Sequence, residues 1–269
     1  SRFDLRKVRI TGGEPLVRSG IRDLVAMLAD LRLRDLALTT NGQLLGEMAA
    51  GLKQAGLHRV NVSLDSIHGE TYRTLTRGGN LERVVEGISA ALDAGLTPVK
   101  TNTVVLRGIN DHEVVEIARF GLERGCHVRF LELMPIGPAQ AEFRDRFVPT
   151  HEVMSRIQSS FSLVPVSREP AASSQDFAAA DRAGRAGTIG FIASESKPFC
   201  AGCIRLRLTS IGRLIACLAR DESEPVRDLL RAATPEAPRA LQELASKLVN
   251  GKCARATFDT TRAMVSVGG

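Results

Sequence analysis

The chain has 269 residues, 43% of them hydrophobic, enough for one large core or for a core with an attached subdomain, and no apolar run approaches the length of a bilayer span. Net charge is +6 with a pI near 9.4, but one Tyr, no Trp and no dense basic run argue against nucleic acid and suit a small polyanion such as a nucleotide. An odd count of five cysteines without a signal peptide speaks against a disulfide framework and for a cytoplasmic protein with no membrane partner.

The first residue is Ser, and residues 7–11 already read as a buried strand, so the chain is expected to be cut into an ongoing fold. From there to about residue 160 an apolar strand, a short polar tip and an amphipathic helix repeat. Strands are expected at 7–11, 36–40, 59–64, 99–106 and 127–133, and helices near 20–32, 44–55, 81–94 and 111–124. Gly56, Gly95 and Gly125 each stand just past a helix end. Alternation of this kind predicts a parallel sheet with right-handed crossovers.

Polar residues cluster where each strand ends: Thr11 to Pro15, Thr39 to Gly42, Ser63 to Ser66, Lys100 and Asn102 on the fourth strand, and Glu132 to Met134. A barrel gathers its chemistry at the carboxyl ends of all its strands, whereas a doubly wound sheet confines it to one switch point. The pattern predicts a barrel. Residues 1–160 are expected to form the barrel unit and 161–269 a C-terminal unit, and residues 167–187, rich in Ala, Ser and Gly, read as a surface connection between the barrel and the cysteine segment.

In that second unit, Cys200, Cys203 and Cys217 stand in a C-x2-C-x13-C pattern, with Arg205 and Arg207 close behind the second cysteine. Alternating residues on either side of Ser210-Ile211-Gly212 predict a hairpin that returns Cys217 to the C-x2-C turn. Three thiolates leave a metal one open position, and the two cations suit an anionic ligand docking there. A zinc knuckle completed by Cys126, Cys253 or a histidine stays open on spacing alone. Two amphipathic helices, 225–232 and 235–249, are expected to pad the open side of the barrel.

Eight segments in order carry a resemblance: VRITGGEPLVR (8–18), LTTNG (38–42), NVSLDS (61–66), VKTNTVVLRGIND (99–111), RFLELMP (129–135), GTIGFIAS (187–194), FCAGCIRLRLT (199–209) and the closing Gly-Gly (268–269). Together they resemble the GTP 3′,8-cyclase family, radical S-adenosylmethionine (SAM) enzymes that open molybdenum cofactor biosynthesis. The resemblance implies an α/β fold: an incomplete TIM-like (β/α) barrel of radical SAM type that lacks its first strand, followed by a C-terminal iron–sulfur subdomain. It implies cyclisation of GTP to (8S)-3′,8-cyclo-7,8-dihydroguanosine 5′-triphosphate, with cyclic pyranopterin monophosphate synthase as the downstream partner, and a homodimer.

Two departures accompany it. The C-x3-C-x2-C motif that holds the SAM-cleaving 4Fe-4S cluster in this family is not in the sequence, so the chain is expected to be a fragment, inactive alone. Ile204 stands where the family usually has Asn.

Residue by residue, the resemblance implies that Gly13, Ser63 and Met134 contact SAM, and that Arg9, Thr39, Lys100, Arg205, Leu206 and Arg207 bind GTP. Cys200, Cys203 and Cys217 would hold a 4Fe-4S cluster whose fourth iron takes the purine. Arg129 fits the same pocket as its catalytic residue, although its place in RFLEL near Glu132 equally allows an internal ion pair. Cys126 and Cys253 read as ordinary buried cysteines. Competing readings are a non-catalytic GTP and iron–sulfur binding homologue, or another radical SAM enzyme with an auxiliary cluster. A peptide substrate gives no reason for the paired arginines.

Overall fold

A computed structural model describes residues 5–167, 171–232, 234–252, 258 and 260. Five parallel strands come first: β1 (Lys7–Ile10), β2 (Asp35–Thr40), β3 (Arg59–Ser63), β4 (Lys100–Val105) and β5 (His127–Glu132). The intervening helices are α1 (Ile21–Ala29), α2 (Leu45–Gln54), α3 (Gly69–Leu75), α4 (Leu81–Asp93) and α5 (Val114–Glu123). The expected strands and helices are all present, within a few residues at their ends. The short α3 has no counterpart in the sequence pattern.

Helix ends follow local chemistry. The Asn80 side chain accepts from Arg83 N at 2.9 Å and opens α4, and Gly95 at φ 74° follows its last turn. Along α4 the buried residues Val84, Gly87, Ile88 and Ala91 recur at helical spacing and turn one stripe toward the sheet. Gly87 lets α4 approach α2 closely: a Cβ there would lie 2.8 Å from the Gly42 carbonyl oxygen and 3.0 Å from Leu45 Cβ.

Beyond α6 (Ala139–Arg146) and α7 (Thr150–Gln158), the same sheet continues with β6 (Phe161–Pro165), β7 (Gln175–Asp181) and β8 (Ala186–Ile192). The order is β1-β2-β3-β4-β5-β8-β7-β6; β8 is parallel to β5, β7 runs antiparallel to β8, and β6 runs antiparallel to β7. The result is an open, mixed, eight-stranded sheet with helices on one side, an incomplete TIM-like barrel. Residues 167–187 are therefore not a plain surface connection, because seven of them form β7, hydrogen-bonded on both sides. Ala-rich composition hid a strand whose stability comes from its neighbours rather than its own side chains.

A second sheet of three short strands holds the cysteine segment: β9 (Arg207–Leu208), β10 (Arg213–Ile215) and β11 (Glu224–Pro225), in the order β11-β10-β9. The expected hairpin is present, with Leu208 opposite Leu214 and Gly212 N donating to the Thr209 carbonyl at 3.0 Å. After it come α8 (Arg227–Arg231) and α9 (Ala237–Asn250), packed on each other. Cys253 and the closing Gly-Gly lie outside the described residues.

Two cores lie between the sheet and its helices. One gathers Leu36, Leu38, Leu45, Leu52, Val62 and Ile88; the other gathers Val128, Phe130, Ile117, Ile157 and Ile189. Each such side chain contributes about 1.5–3 kcal/mol by leaving water. Alternate residues on β4 and β5 therefore have opposite fates: Thr101, Thr103, Val128 and Phe130 are buried, while Lys100, Asn102, His127 and Arg129 take the other, concave face.

Gly121 marks how tightly α5 sits on β5, since a Cβ there would lie 2.3 Å from Val128 Cγ2. Gly121→Ala should destabilise the chain by about 1–3 kcal/mol through overpacking, outweighing the helix propensity gained. Urea unfolding measures this. An unchanged or higher midpoint would mean that α5 and β5 do not approach so closely.

Candidate active site on the concave face

Strand register places the polar residues of the concave face in three cross-strand rows. The first runs Arg9, Ala37, Arg59; the second Thr39, Asn61, Lys100, His127; the third Ser63, Asn102, Arg129, Gly190, Asp176. Arg9, Thr39, Lys100, Ser63 and Arg129, singled out in the sequence, thus share one face and neighbouring rungs. Arg59, Asn61, His127 and Asp176 join them without having been singled out. Counting every second residue back from Ser63 and Arg129 would have found the first three.

Few anions balance this face. Arg59 is held by Asp35 through Nε at 2.9 Å and Nη2 at 2.6 Å, and it donates to Asn61 Oδ1 at 3.1 Å. Asn61 Nδ2 in turn donates to Thr39 Oγ1 at 3.1 Å, which fixes that hydroxyl. Arg129 has Asp176 at 3.8 Å. Glu132 is not its partner. Parity sends Glu132 to the opposite face, where it is buried and accepts from Thr150 N at 2.8 Å, Glu195 N at 2.8 Å, Ser196 N at 2.9 Å and the Ser196 hydroxyl. Burial pushes its carboxyl up, but these donors prevail and hold it below the ordinary range. Its role is to tie the loop after β8 to the start of α7.

Crowding of cations shows in their proton affinities. Lys100 is brought down to about 8, first by burial and then by Arg129 and Arg59. Arg9 falls to about 10, by burial and then by Arg59 and Arg129, with Arg205 adding to the effect. The Arg9 side chain is open to solvent by area yet enclosed by protein mass on the concave side, as befits a group facing an open cleft. Burial, followed by Lys100 and Arg129, lowers His127 as well. Asn102 adds an unmet acceptor, because its buried Oδ1 has no hydrogen-bond partner.

At the carboxyl edge of the sheet, Glu14 joins two motifs. Its carboxylate accepts from Leu16 N at 2.9 Å, Thr40 Oγ1 at 2.8 Å and Asn41 N at 2.7 Å, so the Gly-Gly-Glu-Pro loop is tied to the tip of β2. Gly13 is left exposed on this lip. Ser63 ends β3, and Met134 lies half-buried just past β5 with its carbonyl accepting from Ile136 N at 2.8 Å. Asp65 is bound by Val104 N at 2.8 Å, and burial raises it to about 6.

The cysteine segment is built separately. Cys200 opens a short 3-10 turn, closed by Cys203 N donating to the Cys200 carbonyl at 3.0 Å, and Cys217 follows β10 by two residues. Cys200, Cys203 and Cys217 are half-buried free thiols, whereas Cys126 is a free thiol inside the first core, pushed up to about 11 by burial. Around Cys203 stand Arg205 Nη2 at 3.4 Å and Lys252 Nζ at 3.5 Å. Burial raises this thiol, but the Arg205 backbone and guanidinium and Lys252 outweigh it and hold it below the ordinary range. Such cations favour the thiolate that soft metals require.

Lys252, far along the chain, carried no motif that could have disclosed it. Arg207 lies within the field of both Cys203 and Cys217, and Arg205 covers the Phe199 ring at 4.7 Å. Ile204 is 67% exposed and Leu206 half-buried beside them. Among the described residues no three His, Cys, Asp or Glu side chains converge into a metal-holding group. Thiols are the donor type that iron–sulfur clusters take, and the cations beside Cys203 favour its thiolate.

The lowered affinity of Lys100 has a stability consequence with a definite sign. Between pH about 8 and 10.5 the unfolded chain keeps the proton on Lys100 and the folded chain releases it, so this residue makes stability rise with pH across that window. Lys100→Met should raise the urea midpoint below pH about 8 and flatten that rise. An unchanged pH slope would mean that the ammonium is not crowded.

Residues 1–121 match the Radical SAM superfamily and residues 126–258 match the Molybdenum Cofactor Synthesis C family. The chain is 43% identical over 273 residues to the GTP 3′,8-cyclase of Geobacter sulfurreducens, covering 98% of this chain and 82% of that protein. It is 43% identical over 271 residues to that of Moorella thermoacetica, with the same coverage, and 48% identical over 217 residues to that of Pelotomaculum thermopropionicum, covering 80% and 66%. In fold it is similar to Streptococcus suis SuiB bound to S-adenosylmethionine, with a TM-score of 0.54 at 15% identity, covering 95% of this chain and 65% of that one. With the order of motifs and the cation-lined open sheet, these matches show that the chain belongs to the GTP 3′,8-cyclase family of radical SAM proteins.

Proposed function

We propose that this chain binds GTP on its concave face and serves the radical SAM-dependent cyclisation of GTP to 3′,8-cyclo-7,8-dihydroguanosine 5′-triphosphate, the first step of molybdenum cofactor biosynthesis. The observation that carries the reading is the crowding of Arg9, Arg59, Lys100 and Arg129, with Arg205 in range of Arg9, at a cost that a bound polyanion would relieve. A triphosphate supplies about three or four negative charges, and its arrival would raise the proton affinity of Lys100 again from about 8.

Each residue has a part in holding the substrate. Arg9, Lys100, Arg205 and Arg207 receive phosphate oxygens, with the arginines able to grip two at once. Thr39, its hydroxyl fixed by Asn61, and the backbone at Leu206 orient the nucleoside. Gly13, Ser63 and Met134, all at the carboxyl edge, face SAM, and Arg129 closes the space between the two ligands. Cys200, Cys203 and Cys217 hold a 4Fe-4S cluster, kept as thiolates with the help of Arg205 and Lys252.

The three cysteines would hold the cluster that takes the purine, and SAM, once reduced by a cluster whose C-x3-C-x2-C ligands this sequence does not carry, would supply the radical chemistry at the ribose. The protein's contribution is to hold the ribose 3′ carbon toward C8 of guanine. The product is consumed by cyclic pyranopterin monophosphate synthase; the cytoplasmic setting and a homodimer belong to the same reading.

Anaerobic reconstitution followed by GTP titration tests this. Expected are four irons per chain, an electron paramagnetic resonance spectrum that changes with GTP, and a roughly 10–100-fold loss of GTP affinity in Arg207→Ala, the effect of one charged contact. Zinc in place of iron, or a spectrum blind to GTP, would overturn the substrate assignment.

A further inference from the structure

In the third row of the concave face, Gly190 separates two charged residues that would otherwise be strangers. Arg129 on β5 is in register with Gly190 on β8, and Gly190 is in register with Asp176 on β7. With no side chain between them, the guanidinium and the carboxylate meet across the bare glycine at 3.8 Å. A Cβ on Gly190 would lie 2.4 Å from Asp176 Oδ1, 2.4 Å from Ser174 Oγ and 3.3 Å from Arg129 Cγ, so any other residue would break the arrangement. The Ser174 hydroxyl donates to Asp176 Oδ1 and leaves Oδ2 turned to Arg129.

We propose that Asp176, anchored by Ser174 and given room by Gly190, is the positioning residue that aims Arg129 into the substrate cleft. The proposal rests on the GTP reading above only for what Arg129 points at. Three features carry the positioning itself. Arg129 is 13% exposed and faces Arg59 and Lys100, both cations, and among the described residues Asp176 is the one carboxylate that pairs with it. A separation of 3.8 Å exceeds a hydrogen bond, so Asp176 orients the guanidinium while its five N–H donors remain for a ligand. Asp176 is also the wrong sign for a site that only collects polyanions, which calls for a purpose other than attraction.

That last point gives the test a direction. If Asp176 acted only through its charge, Asp176→Asn would make the face more positive and bind GTP more tightly. If it aims Arg129, the same variant should bind GTP roughly 3–30-fold more weakly despite the lost repulsion, and Asp176→Glu should recover part of the loss. In the Arg129→Ala background, Asp176→Asn should have no further effect, measured by equilibrium dialysis of GTP against the full chain. Tighter binding, or losses that simply add, would overturn the proposal.

A second readout does without GTP. The Arg129 Nε–Hε signal, assigned in 15N NMR through Arg129→Lys, should be sharp in the parent chain and averaged by free rotation in Asp176→Asn. Ser174→Ala, which keeps the charge but frees the carboxylate, should shift it the same way if Asp176→Asn does not fold. An unmoved signal overturns the proposal whatever GTP does. A moved signal with GTP affinity indifferent to Arg129→Ala upholds the positioning and removes the substrate reading alone.

Discussion

Repulsion between cations that share the concave face is the constraint on which the rest of the structure turns. Arg59 and Arg129 lower the proton affinities of Arg9 and Lys100, Arg59 lowers that of Arg129, and among the described residues Asp35 and Asp176 are the carboxylates that act on them. Such a face works against folding, because partly buried charges lose hydration without gaining full partners. What offsets it is the other side of the same strands, where Leu36, Leu38, Val60, Val62, Val128 and Phe130 are buried under helices. Stability is supplied by one face and spent by the other. The twofold period of a strand keeps the two from mixing.

Four acids around the sheet divide into two kinds. Asp35 and Asp176 face the cleft and restrain arginines, whereas Glu132 and Glu14 hold backbone N–H groups and thereby shape loops. Glu14 is the more telling, since it couples the loop after β1 to the tip of β2 through two hydrogen bonds while accepting a third from Leu16 N within its own loop. Two of the motifs that look independent in sequence are one structural unit. A carboxylate with several directional donors fixes geometry more strictly than an apolar contact of the same size.

Much of this is legible in the amino-acid sequence. Strand ends rich in Thr, Asn, Ser and Lys announce a face, and strict alternation in KTNTVV assigns Lys100 and Asn102 to it. The hairpin of the cysteine segment follows from its alternation around Ile211-Gly212. Long-range pairing is not legible. Nothing near Asp176 in sequence names Arg129, and nothing near Lys252 names Cys203, because these contacts are made by topology. Glu132 beside Arg129 is a plausible partner by proximity, and parity excludes it. The Ala-Ser-Gly stretch at 167–187 misleads for a related reason: the strand within it is dictated by β6 and β8, and its own residues are poor strand formers.

Chain direction explains why that stretch matters to the site. The functional edge of a parallel sheet is the carboxyl edge, so β1 to β5 and β8 present it with the loops that follow them. β7 runs the other way. Its first residues, Gln175 and Asp176, therefore lie level with the last residues of β8 and β5, and the segment that precedes it reaches the same edge. Ser174 and Asp176 arrive at the cleft from a strand start, where a parallel strand in that place would have delivered its end. An antiparallel arm thus extends the sheet beyond the parallel part and, in the same step, brings to a crowded cationic face a carboxylate that none of the parallel strands provides at that row.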